Sequence, residues 1–308
     1  MHLLALLSEI GVGYAGMSEI AHEIASQPSA WAEAAERARG AADALPPHGA
    51  RVAVVGCGTS LYMSQAYAAL REAAGHGEAD AFPASEIPSG RTYDAILAIS
   101  RSGTTTEVLR LLEALPPGAP TIVISAVADS PIVRAAGRAI VLDFADERSV
   151  VQTRFATSVL ALLRAHLGED LAPVIADGGR ALEADLPVRA GAFDHLVFLG
   201  RGWTVGLANE AALKVKETSG SFSESYPAME YRHGPISLAG ERSLVWALGD
   251  VAADLLEDVR GTGAAIVAGE LDPMAELVKI QRTAVVLAEA KGLDPDHPRH
   301  LTRSVVLS

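Results

Sequence analysis

Lys214, Glu217 and His233, in the second half of the chain, have the side chains used in general acid–base catalysis. Lys214 and Glu217 are three positions apart in a stretch, EAALKVKETSG, that predicts a helix ending near Gly220, so they should share one face. His233 follows beyond a predicted loop, in the turn Arg-His-Gly-Pro. By spacing alone, a surface ion pair and an ordinary loop histidine explain these residues better than a catalytic set.

Two polar loops in the first half of the chain are expected directly after buried strands. Residues 56–60 read GCGTS and residues 100–105 read SRSGTT, and each loop precedes a predicted helix. Hydroxyls and backbone amides at a helix start favour an anion. Serine and threonine are also the preferred helix caps, so either loop alone has a purely structural explanation. Two such loops at matching places indicate a phosphate site.

Apolar runs alternate with amphipathic stretches along the chain, which predicts parallel strands connected by helices. The expected strands are 51–55, 94–100, 121–125, 139–142, 194–199, 244–248 and 264–267. A unit of strand, Gly-x-Gly and helix begins at residue 52 and again at residue 194. The sequence therefore predicts an α/β protein with two copies of one parallel-sheet unit, each with helices on both faces. Ligands in such sheets bind beyond the carboxyl ends of the strands.

The composition limits the function classes. The 308 residues are 49% hydrophobic and 20% charged, as in a folded globular protein, and the net charge of −13 argues against a nucleic-acid partner. The only cysteine, Cys57, excludes an intrachain disulfide, which favours a cytoplasmic protein. The apolar first sixteen residues contain Glu9 and lack a basic start, so we expect neither a signal peptide nor a membrane partner.

Dinucleotide and metal sites are both disfavoured by the sequence. After Gly56 and Gly58, the dinucleotide fingerprint would need a third glycine where Leu61 stands, and the second Gly-x-Gly is incomplete in the same way. The nine histidines show no spacing typical of metal ligands. We expect no cofactor and no metal.

Three separated motifs carry a family resemblance: EAALKVKE at 210–217, SESY at 223–226, and the Glu-x-x-His-Gly-Pro run at 230–235. Together they resemble the sugar isomerase (SIS) family, in particular the isomerase halves of glucosamine-6-phosphate synthases. The resemblance covers nearly the whole chain from Met17, where we expect the native start. It implies two flavodoxin-like subdomains related as a pseudo-dimer. The expected divisions are an N-terminal extension with helices (1–45), subdomain 1 (46–176), subdomain 2 (177–292) and a C-terminal active-site tail (293–308).

The resemblance also assigns roles. It implies that Glu217 moves a proton between C1 and C2 of a phosphorylated sugar, that Lys214 stabilises the enediolate, and that His233 opens the ring from the neighbouring subunit of a homodimer. Gln152 stands where the family has a sugar-contacting serine. The residues expected to bind the sugar or its phosphate are Cys57, Gly58, Thr59, Ser60, Ser100, Ser102, Thr105, Gln152 and Arg303.

Two departures shape the expected function. Arg303 replaces the family lysine that forms an imine with the sugar, and a guanidinium that stays protonated cannot do this. We expect no glutaminase domain, so the chain is similar to stand-alone glucosamine-6-phosphate deaminases. The alternatives are an aldose/ketose-phosphate isomerase without deamination and a non-catalytic sugar-phosphate sensor. Glu217 and His233 favour an enzyme, whereas Arg303 favours a sensor.

Overall fold

The structure is a computed structural model that describes residues 18–187 and 191–307. The expected extension before Met17, and that expected start itself, lie outside the described residues. Two helices come before the first sheet, α1 (Glu19–Ala25) and α2 (Gln27–Ala41). Ser26 separates them, and Pro28 lies in the first turn of α2, where its missing N–H costs no helical hydrogen bond.

The first subdomain is a five-stranded parallel sheet with strand order β2-β1-β3-β4-β5. Its strands are β1 (Val52–Gly56), β2 (Ala79–Pro83), β3 (Ala95–Ile99), β4 (Thr121–Ser125) and β5 (Arg138–Val141). Its helices are α3 (Thr59–Ala73), α4 (Thr106–Ala114), α5 (Pro131–Ala135) and α6 (Arg154–His166), with a 3-10 turn at Asp143–Ala145.

The second subdomain repeats this plan with four parallel strands in the order β7-β6-β8-β9. The helix α7 (Ala172–Glu183) leads into it. The strands are β6 (His195–Gly200), β7 (Phe222–Pro227), β8 (Ser243–Leu248) and β9 (Ala265–Ala268). The helices are α8 (Thr204–Ser219), α9 (Ala253–Gly261) and α10 (Pro273–Ala290), and two 3-10 turns follow β7 at Ala228–His233 and Pro235–Leu238.

The predicted α/β fold with two parallel sheets is confirmed, and each apolar run predicted as a strand forms one. β1, β3, β4, β6 and β8 are buried along their whole length, which explains their continuous apolar sequences. The edge strands β2 and β7 were not predicted. The expected division between residues 176 and 177 lies inside α7, so a cut drawn there would divide a helix.

The two subdomains meet where α3 packs against α8. Gly206 of α8 approaches α3 so closely that a Cβ atom there would lie 2.5 Å from the carbonyl oxygen of Tyr62 and 2.7 Å from the amide nitrogen of Ala66. Farther along, Lys214 of α8 reaches Thr59 at the start of α3. Side chains from both helices belong to one buried apolar core. This packing brings the GCGTS loop of the first subdomain to the buried face of α8.

Candidate active site

One face of α8 carries three ionisable side chains, Glu210, Lys214 and Glu217. Glu210 and Lys214 are fully buried, whereas the side chain of Glu217 is 22% exposed. Nζ of Lys214 lies 3.2 Å from Oε1 of Glu210 and donates to Oε2 of Glu217 at 2.9 Å. The surface ion pair suggested by spacing alone is therefore wrong for Lys214, because its ammonium is enclosed between two carboxylates.

Burial and charge together set the protonation of this cluster. Burial raises the pKa of Glu210 to about 7, with Lys214 opposing the rise and Glu217 adding to it. Burial alone would lower the pKa of Lys214, but Glu210 and Glu217 outweigh it, and the net shift is upward. Lys214 is thus a buried ammonium ion at neutral pH, and Glu210 titrates near neutrality.

The GCGTS loop supplies the next neighbours of this cluster. Nζ of Lys214 donates to Oγ1 of Thr59 at 3.2 Å, and both Thr59 and Ser60 are buried at the start of α3. Gly58 has φ +55°, a backbone conformation that glycine adopts without strain. Burial, together with the charge of Glu107, raises the pKa of the Cys57 thiol. A raised thiol pKa favours the neutral form of Cys57 over the nucleophilic thiolate.

The SRSGTT loop gathers hydroxyl groups between β3 and α4. Oγ of Ser100 lies 3.1 Å from Oγ1 of Thr105, and the amide of Thr104 donates to Oγ of Ser102 at 3.2 Å. Oγ of Ser102 in turn donates to Oγ of Ser304, from the C-terminal tail, at 3.0 Å. The hydroxyls of Ser100 and Thr105 are therefore in contact, and Ser102 joins them on the same loop. Several hydroxyl groups on one loop at the start of a helix can donate hydrogen bonds to the oxygens of an anion such as phosphate.

The C-terminal tail lies directly on this loop. The amide of Thr106, in the first turn of α4, donates to the carbonyl oxygen of Val305 at 3.1 Å. The guanidinium of Arg303 forms an ion pair with Asp146, and both side chains are more than a third exposed. Arg303 is therefore at the site through its backbone, while its side chain is directed to the 3-10 turn before α6.

Gln152 lies in the loop that precedes α6. Its Oε1 atom is buried without a hydrogen-bond partner among the described residues. Glu147 fixes this loop, because its Oε1 accepts from the amides of Thr153 and Arg154 at 2.6 Å and 2.7 Å. A buried amide oxygen without a donor is costly, so Gln152 lies in a strained polar position at the start of α6.

His233 ends the 3-10 turn Ala228–His233 and is exposed to solvent. No hydrogen bond or ion pair within the described ranges joins it to Lys214 or Glu217. The structure of one chain thus brings Lys214, Glu217 and the GCGTS loop together, and it leaves His233 on the surface. The SRSGTT loop follows β3, the strand that pairs with β1.

A cavity of about 590 Å³ opens beside Glu217 at the end of α8. Its walls come from α8, the end of α10 and the start of the tail, and they include Lys216, Lys291, His297 and Arg299. Nζ of Lys291 donates to the carbonyl oxygen of Ser219, another wall residue, at 3.0 Å. Glu217 therefore faces both the buried cluster and a solvent-accessible space.

Sequence reasoning missed three residues that the fold brings to this region. Glu210 lies four positions before Lys214, so the i, i+4 spacing alone places the two on one helix face. It was missed because an acidic residue in a helix is normally expected to be exposed to solvent. Tyr62 is affected by both carboxylates: burial raises the pKa of its phenol, and the charges of Glu210 and Glu217 raise it further. Ser304 meets Ser102 only through the path of the tail, which no local pattern encodes.

Among the described residues, no group of three or more histidine, cysteine, aspartate or glutamate side chains is placed to hold a metal ion. Over the same ranges, none of the helices has both the length and the apolar composition needed to cross a membrane.

Comparison with known proteins gives a consistent set of relatives. No family model matches the sequence. The chain is 30% identical over 295 residues to a glutamine–fructose-6-phosphate aminotransferase [isomerizing] of Sulfurisphaera tokodaii, and 28% identical over 299 residues to that of Sulfolobus acidocaldarius. Each match covers 83% of this chain and 50% of the relative, so the chain spans about half the length of these curated relatives.

Solved structures show the same similarity over a full domain. A glucosamine-6-phosphate deaminase from Thermotoga maritima is 26% identical with a TM-score of 0.80, covering 94% of this chain and 100% of that one. A tagatose-6-phosphate ketose/aldose isomerase from Escherichia coli has a TM-score of 0.80 at 18% identity, covering 96% of this chain and 98% of its own. The second similarity shows the shared fold alone.

Proposed function

The chain belongs to the sugar isomerase (SIS) family, and we propose that it acts on a hexose or hexosamine 6-phosphate by moving a proton between C1 and C2. The observation that carries this proposal is the buried cluster of Glu210, Lys214 and Glu217, which contacts the GCGTS loop through Thr59. The hydroxyl-rich SRSGTT loop follows β3, the strand next to β1. We propose that an amino-sugar phosphate is the substrate and that ammonia is released, as the Thermotoga maritima relative's name states for that protein.

We propose Glu217 as the proton-transfer base. Its carboxylate is partly exposed beside the cavity, so a substrate carbon can reach it, and its other side contacts Lys214 at 2.9 Å. A carboxylate above C1 and C2 takes the proton from one carbon and returns it to the other. Nζ of Lys214, held as a cation, lies where it can stabilise the negative oxygen of the enediolate or enolamine intermediate.

Release of ammonia follows from the same proton transfer. Removal of the C2 proton from an open-chain 2-amino aldose, with protonation at C1, leaves an imine at C2. Water then adds to the imine carbon, and the C–N bond breaks to give a ketose phosphate and ammonia. The aldehyde carbon needs no imine with the protein, so Arg303 in place of a lysine does not block this route.

The phosphate group is expected at Ser100, Ser102 and Thr105. These residues offer neutral hydroxyls at the start of α4, where the helix dipole favours negative charge. Together with Cys57, Gly58, Thr59, Ser60 and Gln152, they would line the path from the phosphate to Glu217. Hydroxyl groups and backbone amides at a helix start can bind a phosphate without a lysine or an arginine. The negative net charge of the protein therefore does not argue against this ligand.

His233 is proposed to act from a second copy of the chain in a homodimer. Met229 and Leu238, on the two 3-10 turns that flank His233, are 50% and 61% exposed. Exposed apolar side chains beside an exposed histidine suit a surface covered by another subunit. The partner's loop could then place its imidazole beside Glu217, where ring opening requires an acid–base group.

A non-catalytic sensor remains the second candidate, because Arg303 is paired with Asp146 and supplies no amine to the site. A substrate screen separates the candidates. Hexose and hexosamine 6-phosphates are incubated with the protein, and ketose, ammonia and solvent deuterium at C2 are measured. Ketose with ammonia supports a deaminase, and ketose alone supports an isomerase. Binding without deuterium exchange for any sugar would overturn the enzymatic proposal.

A further inference from the structure

Arg101 lies in the middle of the SRSGTT loop, yet its guanidinium is buried. The side chain is 1% exposed, and Nη1 lies 3.6 Å from Oε2 of Glu147, whose side chain is fully buried. A buried guanidinium carries a large desolvation cost that only well-placed partners offset. The hydrogen-bond partners of the guanidinium therefore indicate the role of Arg101.

The guanidinium donates to three backbone carbonyls in two separate segments. Nη1 donates to the oxygen of Ser149 at 3.1 Å, and Nη2 donates to the oxygens of Val150 at 2.9 Å and Arg303 at 3.0 Å. The planar fork of an arginine suits several acceptors at once, which the single ammonium of a lysine cannot match. The contact with residue 303 uses its backbone oxygen, so it does not depend on the side chain there.

Both segments carry groups of the proposed site. Ser149 and Val150 precede Gln152, whose buried Oε1 has no donor among the residues that the structure describes. Residue 303 precedes Ser304, whose Oγ accepts from Ser102 at 3.0 Å and from Thr104 at 2.9 Å. The side chain of Arg101 thus connects the SRSGTT loop, the loop that carries Gln152 and the C-terminal tail.

We infer that Arg101 is a positioning residue that holds the last part of the C-terminal tail, residues 299–307, against the SRSGTT loop. A sugar phosphate that binds at Ser102 would also meet the hydroxyl of Ser304, so phosphate binding and tail closure strengthen each other. This coupling to phosphate rests on the proposed function, whereas the attachment of the tail by Arg101 does not.

The ion pair of Arg303 with Asp146 also connects the tail to the first subdomain, but it is exposed to solvent and therefore weaker. The ion pair of Arg303 with Asp146 involves side chains that are 40% and 37% exposed, and such pairs contribute little. The Arg101 link is part-buried and charge-assisted, and its guanidinium is held by further backbone carbonyls, which makes it the stronger of the two. Its removal should loosen the tail more than removal of the Arg303 side chain does.

Trypsin cleavage after Arg303 tests the attachment in ligand-free protein. R101K keeps the buried positive charge beside Glu147 but loses the forked donors of the guanidinium. R101M/E147Q removes both buried charges together, so neither is left unpaired. Using two variants keeps the test valid if one of them fails to fold. R134K is the matched control, since Arg134 is an exposed arginine of the same subdomain that pairs with Asp129. Loss of a charge-assisted hydrogen bond should speed tail cleavage about tenfold or more in both Arg101 variants. The control should cleave at the wild-type rate.

The same digestion with a hexose 6-phosphate added tests the coupling. We expect the ligand to slow cleavage of the wild-type tail and to protect the R101K tail far less. Kinetics give a second readout, because looser positioning should raise KM about tenfold with a smaller change in kcat, whereas a merely destabilised protein keeps its KM.

Wild-type cleavage rates in both ligand-free Arg101 variants would overturn the inference, and so would undiminished ligand protection in R101K. A wild-type protein that no phosphosugar protects would instead count against the proposed function and remove the coupling. The ligand-free comparison would still decide whether Arg101 holds the tail.

Discussion

Nζ of Lys214 lies 3.2 Å from Oε1 of Glu210 at a place that water does not reach. The same ammonium contacts Glu217, so one buried cation serves two carboxylates. With both acids ionised the cluster would carry a net negative charge, and uptake of one proton by Glu210 removes it. The rise of the Glu210 pKa to about 7, caused first by burial, places this uptake near neutral pH.

The first prediction is that Glu210 makes folding stability fall as pH rises from about 4.5 to about 7. The folded-state pKa lies above the unfolded value, so the folded protein binds more protons in this range and loses stability as they leave. Glu210→Gln should remove on the order of 1–3 kcal/mol of this pH dependence. Urea unfolding at pH 5 and pH 8 measures it, with Glu113→Gln on the exposed face of α4 as control. Equal pH slopes for wild type and Glu210→Gln would count against a buried, titrating Glu210.

The second prediction concerns Glu217 as the base. Glu217→Gln keeps the size and a polar contact with Lys214 but cannot accept a proton, so kcat should fall about 10²–10⁴-fold with little change in KM. Glu289→Gln, an exposed substitution on α10, should leave both constants unchanged. Deuterium exchange at C2 of the substrate gives the direct measurement, and wild-type exchange in Glu217→Gln would exclude Glu217 as the base.

The third prediction concerns the phosphate loop. Ser102→Ala removes one hydroxyl that would bond an anion, and we expect affinity for a hexose 6-phosphate to weaken by about 1.5–3 kcal/mol. Titration calorimetry measures this change. Ser29→Ala, an exposed substitution on α2, is the control and should bind normally. Unchanged binding by Ser102→Ala would place the phosphate elsewhere.

The fourth prediction tests whether His233 acts across a two-fold interface. Each of His233→Ala and Glu217→Gln should be nearly inactive alone. If the partner supplies the imidazole, a mixed dimer has one intact site, and an equal mixture should recover about a quarter of wild-type activity. Activity after co-refolding, with light scattering for mass, measures this. No recovery in a confirmed mixed dimer would show that each site uses its own His233.

Much of the fold was predictable because the central strands are buried on both faces and so read as apolar runs. The edge strands β2 and β7 were missed since they are half-exposed, contain polar residues that interrupt the apolar run, and end in proline. The helix α7 was missed because it contains Gly178 and Gly179, which disfavour a helix. Packing explains the first of these: a Cβ at Gly178 would lie 2.6 Å from Cζ3 of Trp31.

The candidate site was predictable where its residues are local in sequence. Lys214 and Glu217 share one helix face, and Ser100, Ser102 and Thr105 share one loop, so spacing sufficed to group them. The burial of Lys214 and Glu210 depends on α3 of the other subdomain, and the placement of Ser304 depends on a tail two hundred residues away in sequence. Such features arise from tertiary packing and leave no local pattern.

The closeness of α8 to α3 at Gly206 limits how this protein can be redesigned. Any side chain at position 206 would meet the backbone of Tyr62 and Ala66, so the two helices would have to separate along their shared length. The spacing between the GCGTS loop at the start of α3 and the buried carboxylates of α8 is therefore fixed by backbone contact. A variant that accepts a longer or shorter sugar must be sought in the loops and the tail, because the distance between the two halves cannot be tuned by small steps.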